Sequence, residues 1–142
     1  MNDFFTRFNQ FAVLGLSRNP KSFSRQACAF LKTEGYEIYP VNPNTDVIDG
    51  QACYNSVESL PEVQAAIFFT PPRVTESLLP VCKDKGIIDV WFQQGSADKA
   101  VISIADNLGL NYKNSCVFLH HPHAGFPHNL HRSIVRILGM EK

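Results

Sequence analysis

An excess of charge of either sign is the first thing this chain lacks. Its 142 residues hold 13 Lys+Arg against 13 Asp+Glu, a formal net charge of +0. Without a basic surplus there is no face to neutralise a phosphate backbone, which argues against nucleic acid as a partner. Nor is there a polybasic stretch for an anionic membrane surface. Long apolar runs are missing too: they end within about six residues, far short of the ~20 that cross a bilayer. The opening Met1–Arg7 carries Asp3 early and has no signal-peptide apolar stretch. The four cysteines, Cys28, Cys53, Cys82 and Cys116, include no Cys-x-x-Cys pair. With no secretion signal, reduced thiols of a cytoplasmic protein are the expectation. Disorder is excluded by a 44% hydrophobic fraction with 11 Phe. The length suits one domain over residues 1–142, long enough to hold a core without staples.

What is present is an alternation of short apolar runs and helical spacings, punctuated by Gly and Pro. Phe11–Leu16 is continuously apolar, as a strand covered on both faces should be. Gln26–Glu34 then shows helical spacing at Ala27, Phe30 and Leu31, with Ser22 or Ser24 as cap and Gly35 at the stop. Tyr36–Val41 reads as a second strand and Ala65–Phe69 as a third. Val74, Leu78 and Leu79 mark a helix that Pro80 is expected to kink or restart. Ile87–Phe92 is the fourth strand, and a helix capped by Ser96 runs through Leu108 to Gly109. The fifth strand falls within Asn111–Leu119 and is expected in its apolar Cys116–Leu119 part. A last helix runs from Pro127 to Gly139 with Leu130, Ile134, Ile137 and Leu138 as its stripe. Phe4, Phe5 and Phe8 fall on one side of an extra N-terminal helix, an aromatic surface suited to a partner, including a second copy of the chain.

Strand–helix alternation at this spacing builds β-α-β units with right-handed crossovers, hence a parallel sheet of about five strands with helices on both faces. The fold class is α/β and Rossmann-like. Ligands of such sheets bind beyond the carboxyl ends of the strands. The loops Gly15–Ser24, Asn42–Asp46, Thr70–Arg73 and Gln93–Ser96 should therefore share one edge. In the first, Gly15 stands where a dinucleotide fingerprint begins, but Ser17 and Pro20 replace its later glycines. Amides at the next helix start, with Ser17 and Arg18, would still suit an anion. The second strand ends in Asn42-Pro43 rather than in the acid that an NAD site places on the ribose hydroxyls, so a phosphorylated ribose is tolerated.

Ala12–Pro20 and Gly35–Pro43, followed in order by Ile67–Pro72, Gly86-Ile87 and Val90–Gly95, resemble the small stand-alone coenzyme A-binding proteins. Those are similar to the nucleotide domain of the succinyl-CoA ligase alpha subunit. The resemblance covers roughly residues 8 to 119. It implies that Gly15, Ser17 and Arg18 hold the pyrophosphate and that Asn42 and Pro43 lie against the adenosine. It further implies that Thr70 and Pro71 close over it and that Gln94 and Gly95 sit toward the pantetheine. Family members often carry a basic residue after the Asn-Pro, suited to the 3′-phosphate, whereas Asn44 follows here. Lys21, Arg25 and Arg73 are the candidates to supply that charge. The ligase's phosphorylated His belongs to a second domain outside the resemblance.

The implied function is binding of CoA or an acyl-CoA by a non-catalytic cytoplasmic protein, as a sensor or accessory. An NAD(P)-binding redox domain is the alternative in cofactor class. A third reading rests on His120, His121, His123, His128 and His131, all within one segment. They would suit Zn²⁺ or Ni²⁺ or a phosphotransfer role, but their spacing follows no known ligand pattern and no metal site is assigned. Cys28, Cys82 and Cys116 fall in helices or a strand as core thiols, and Cys53 is expected near the surface. Trp91 reads as core. No catalytic residues are assigned.

Overall fold

A computed structural model describes residues 4–45, 47, 48 and 50–115. In chain order the elements are α1 (Phe4–Arg7), β1 (Gln10–Leu14), α2 (Phe23–Thr33) and β2 (Glu37–Val41). A short antiparallel pair follows, β3 (Val47–Ile48) and β4 (Gln51–Ala52). Then come β5 (Ala65–Phe68), α3 (Pro72–Lys85), β6 (Asp89–Phe92), α4 (Lys99–Leu108) and β7 (Asn111–Asn114). The main sheet has the order β2-β1-β5-β6-β7, every neighbour parallel. This is the expected Rossmann-like sheet. Its strand order reverses between β1 and β5, which places the switch point there.

Side chains alternate across the sheet with the period of two that a strand imposes. Phe11 and Val13 of β1 pack with Ile67, Trp91 and the Ala27, Cys28 and Leu31 face of α2. Ala12 and Leu14 face the other way, with Phe68, Leu79 and Cys82, and Val101 and Ala105 of α4. Both faces of the central strands are thus covered, which is why β1 and β5 read as unbroken apolar runs. Trp91 is core as expected, and its indole N–H donates to the Ser115 carbonyl at 2.7 Å.

Several local expectations are corrected. The N-terminal aromatic residues do not form an outward surface: Phe4 and Phe5 are buried, packed against Phe11 and Trp91 with ring centroids 5.0–5.5 Å apart. Burying two rings against the sheet is worth more than leaving them in water. Pro80 does not restart α3, which runs unbroken through it; Pro80 is exposed, and the contacts of Thr75, Leu79 and Cys82 on the buried side outweigh the missing N–H. Asp98, not Ser96, caps α4, its carboxylate accepting from the Val101 N–H at 3.0 Å. Ser96 instead donates to the Gln93 carbonyl and shapes the preceding turn. The fifth strand occupies polar Asn111–Asn114, at the edge of the sheet among the described residues, where apolar side chains are not demanded. Residues 116–119, the expected helix from Pro127 to Gly139 and all five histidines lie outside the described residues.

Cys53, expected near the surface, is buried. The neighbouring Tyr54 pairs with β2, its N–H donating to the Pro40 carbonyl and its own carbonyl accepting from the Asn42 N–H, and this turns Cys53 inward. Burial pushes the Cys28 and Cys82 thiols from an ordinary 9.0 up to about 12. Between these values the unfolded chain releases thiol protons that the folded chain retains, so this contribution to stability is complete below pH 9 and declines toward pH 12. Urea melts taken across that window should therefore show falling stability, with a shallower fall in a Cys28→Ala/Cys82→Ala double variant. Equal slopes would show that these thiols ionise as readily folded as unfolded.

Candidate functional site

The first strand turns at Gly15, whose φ of 90° belongs to the left-handed region. A Cβ at this position would stand 2.8 Å from Thr70 Cγ2, 3.0 Å from the Thr70 nitrogen and 3.1 Å from the Phe69 carbonyl carbon. Two backbones, leaving β1 and β5 at the switch point, touch here. The Phe69 N–H donates to the Leu14 carbonyl at 2.8 Å, carrying the ladder to that contact. Thr70 is held in turn by its hydroxyl, 2.7 Å from that of Thr75 in the first turn of α3.

From Gly15 the chain crosses a polar loop into α2, and the loop is bonded to that helix's first turn. Ser22 caps the helix, accepting from the Arg25 N–H, and the Ser24 hydroxyl accepts from the Ser17 N–H at 3.0 Å. The Ser17 hydroxyl accepts from the Asn19 N–H. Arg25 is buried, and its Nη1 donates to the carbonyls of Arg18 at 2.9 Å and Ser17 at 3.3 Å. A trans peptide directs its C=O and N–H oppositely. Turning the Ser17 carbonyl to Arg25 therefore directs the Arg18 N–H away from it. Arg25 supports the loop from below, its Nη1 engaged by these two carbonyls, and it lines neither cavity at the sheet's carboxyl edge.

Two cavities open at the sheet's carboxyl edge. The first, ≈ 410 Å³, lies between the end of β2 and α3, and contains Asn42, Pro43 and Asn44. Its apolar wall is Val74, Leu78 and Val81, one face of α3 at the spacing i, i+4, i+7. Val74 is 41% exposed although apolar, as a residue kept for a ligand surface would be. Asn55, Ser56, Val57 and Glu58 complete the wall from the segment after β4. The second cavity, ≈ 430 Å³, runs past Phe23, Phe69, Gln94, Gly95 and Ser96. Gly15, Ser17, Thr70 and Pro71 line both, so the contact at the switch point is the saddle of one groove.

The fold thus brings together Gly15, Ser17, Asn42, Pro43, Thr70, Pro71, Gln94 and Gly95. Arg18 is exposed on the loop and lines neither cavity; Lys21 and Arg73 are likewise exposed and outside both. Asn42 has a second duty: its Nδ2 donates to the Leu16 carbonyl at 3.0 Å and its Oδ1 accepts from the Asn44 N–H at 2.8 Å, tying the two loops. Sequence reasoning missed Asn55–Glu58, which carry no motif, and the lining role of Val81. It gave Val74, Leu78 and Leu79 only as the spacing of a helix; the structure buries Leu79 in the core and leaves Val74 exposed. No group of three or more His, Cys, Asp or Glu able to hold a metal occurs among the described residues. None of their helices is long and apolar enough to cross a membrane.

Comparison with known proteins shows the family. A family model described as a CoA binding domain matches residues 9–122. The chain belongs to the CoA-binding domain family. This CoA-binding domain is 31% identical over 137 residues to the alpha subunit of acetate–CoA ligase [ADP-forming] II of Pyrococcus furiosus, covering 87% of this chain and 30% of that subunit. It thus spans under a third of that relative's length. A solved structure of a conserved hypothetical protein from the same organism superposes with a TM-score of 0.71 at 32% identity, over 76% of this chain and 93% of that one. A hypothetical protein from Pyrococcus horikoshii OT3 gives 0.75 at 29%, over 80% and 81%.

Gly15→Ala in this CoA-binding domain should cost about 2–4 kcal/mol, from a non-glycine residue at positive φ and a backbone collision. Chemical denaturation measures it. A companion Thr70→Ser removes the Cγ2 contact and leaves the two backbone ones, so it should restore only part of the loss; full restoration would place the strain in the side chain alone.

Proposed function

We propose that this chain binds coenzyme A, free or acylated, along the groove over the switch point, as a small cytoplasmic protein. The observation that carries the reading is the pair of cavities meeting at Gly15 and Thr70, with an anion-suited loop at the saddle. CoA has that layout: a flat base and ribose, a pyrophosphate, and a long pantetheine arm. The base would lie against Val74, Leu78 and Val81, with Asn42 and Pro43 beside it. The pyrophosphate would meet Ser17, the start of α2 and Arg18, the exposed cation of the loop. Thr70 and Pro71 would close over the middle. The arm would pass over Phe23 and Phe69, which pack on each other with ring centroids 6.3 Å apart, toward Gln94 and Gly95.

Residues 1–142 act in this reading as one binding unit with a sensor or accessory role and no reaction of its own. Two properties of the described residues support that role. The raised pKa of the buried Cys28 and Cys82 makes them core thiols rather than nucleophiles. The groove presents one carboxylate, Glu58, rather than a pair that could share acid and base duties.

Titration calorimetry should detect CoA and acetyl-CoA binding and no NAD binding, since the second strand ends in Asn42-Pro43. Tight NAD binding with none for CoA would overturn the proposal. Arg18→Ala should weaken CoA binding by about 1.5–3 kcal/mol, the range for a hydrogen bond to a charged group. An unchanged Kd in a normally folded variant would leave the pyrophosphate to the backbone and Ser17.

A further inference from the structure

A CoA molecule is highly anionic, yet the groove is not basic. Among the described residues, the lining of the cavity assigned to the adenosine includes a single ionisable residue, Glu58, and that of the other cavity includes none. Arg18 lines neither cavity and is assigned to the pyrophosphate, and the other nearby cations among the described residues line neither cavity. Arg25 is buried on the Ser17 and Arg18 carbonyls. Lys85 donates to the Glu58 backbone carbonyl at 3.0 Å and lines no part of the cavity. Lys21 and Arg73 are exposed and outside both linings. Asn44 contributes an amide to the wall, and its backbone N–H is already bonded to Asn42.

Resting on the reading above, we infer that this site accepts adenosine without regard to its 3′-phosphate, so that dephospho-CoA binds nearly as well as CoA, and that Glu58 sets this indifference. A ribose phosphate at this cavity meets one acidic residue and amide dipoles, and no cation among the described lining residues. It gains little by leaving water, because removing a charge from its hydration is repaid only by a positioned opposite charge. The free ribose hydroxyl of the dephosphorylated compound is a donor that a carboxylate can accept. The ligand class is thus the adenosine-diphosphate pantetheine compounds as a group.

Titration calorimetry of the intact chain with CoA and dephospho-CoA, at fixed salt, tests this. The wild type should favour CoA by no more than about tenfold. Glu58→Lys replaces the carboxylate with a cation, and Asn44→Lys adds one from a different loop. Each should move the affinity ratio toward CoA by tenfold or more, with circular dichroism confirming the fold; either folded variant suffices. A wild-type preference for CoA above tenfold overturns the inference while leaving CoA binding intact. An unmoved ratio in the folded lysine variants also overturns it. Binding of neither compound removes the function proposed above and this inference with it.

Discussion

The organisation of this molecule depends on one close approach, that of Gly15 to the Phe69–Thr70 backbone. At the point where the sheet reverses its strand order, the chains leaving β1 and β5 come near enough to exclude a Cβ. Without that contact the two cavities would be separate hollows on either side of a loop. With it they share a low saddle and become a groove long enough for an extended ligand. The left-handed φ of Gly15 then sends the chain across the carboxyl edge instead of onward along the strand.

Polar side chains complete what the glycine begins, and they do it by bonding backbone. Arg25 and Asn42 both reach the Leu16–Arg18 stretch, one from the helix below and one from the adjacent strand end. Ser24 and Ser17 fix its amides. A loop held from both sides is preorganised, and little conformational entropy remains to be lost when an anion settles on it. Arg25 illustrates why a charged residue near a site is not thereby a ligand contact. Its burial and its two carbonyl acceptors define it as a support.

The groove also explains why a neutral, motif-poor chain can belong to a family defined by an anionic ligand. In the proposed reading, recognition would be divided between an apolar helix face for the base, backbone dipoles and Arg18 for the phosphates and an aromatic-lined channel for the arm. Only the second of these is electrostatic, and it is concentrated at the start of one helix. Net charge therefore carries no signal of the ligand.

The parallel sheet, its flanking helices and the four loops at its edge were legible in the amino-acid sequence. They depend on local physics: unbroken apolar runs for strands buried on both faces, helical spacing between them, and Gly or Pro at the joins. The four loops could be placed at one edge because loops of a parallel sheet converge wherever the strands end. The individual residues Gly15, Ser17, Arg18, Asn42, Pro43, Thr70, Pro71, Gln94 and Gly95 came from the family resemblance, and of these Arg18 lines neither cavity. Other features required the folded chain. Phe4 and Phe5 look like a sticky surface until the sheet beneath them is known. Polar Asn111–Asn114 is a strand only because β6 offers it a partner edge. Val74, Leu78 and Val81 have the same periodicity as core residues, and which stripe of α3 meets the sheet and which the groove depends on how the helix is rotated. Arg25 and Glu58 carry no motif, and whether a charge supports a loop, faces a ligand or meets water is decided by burial and by neighbours distant in sequence.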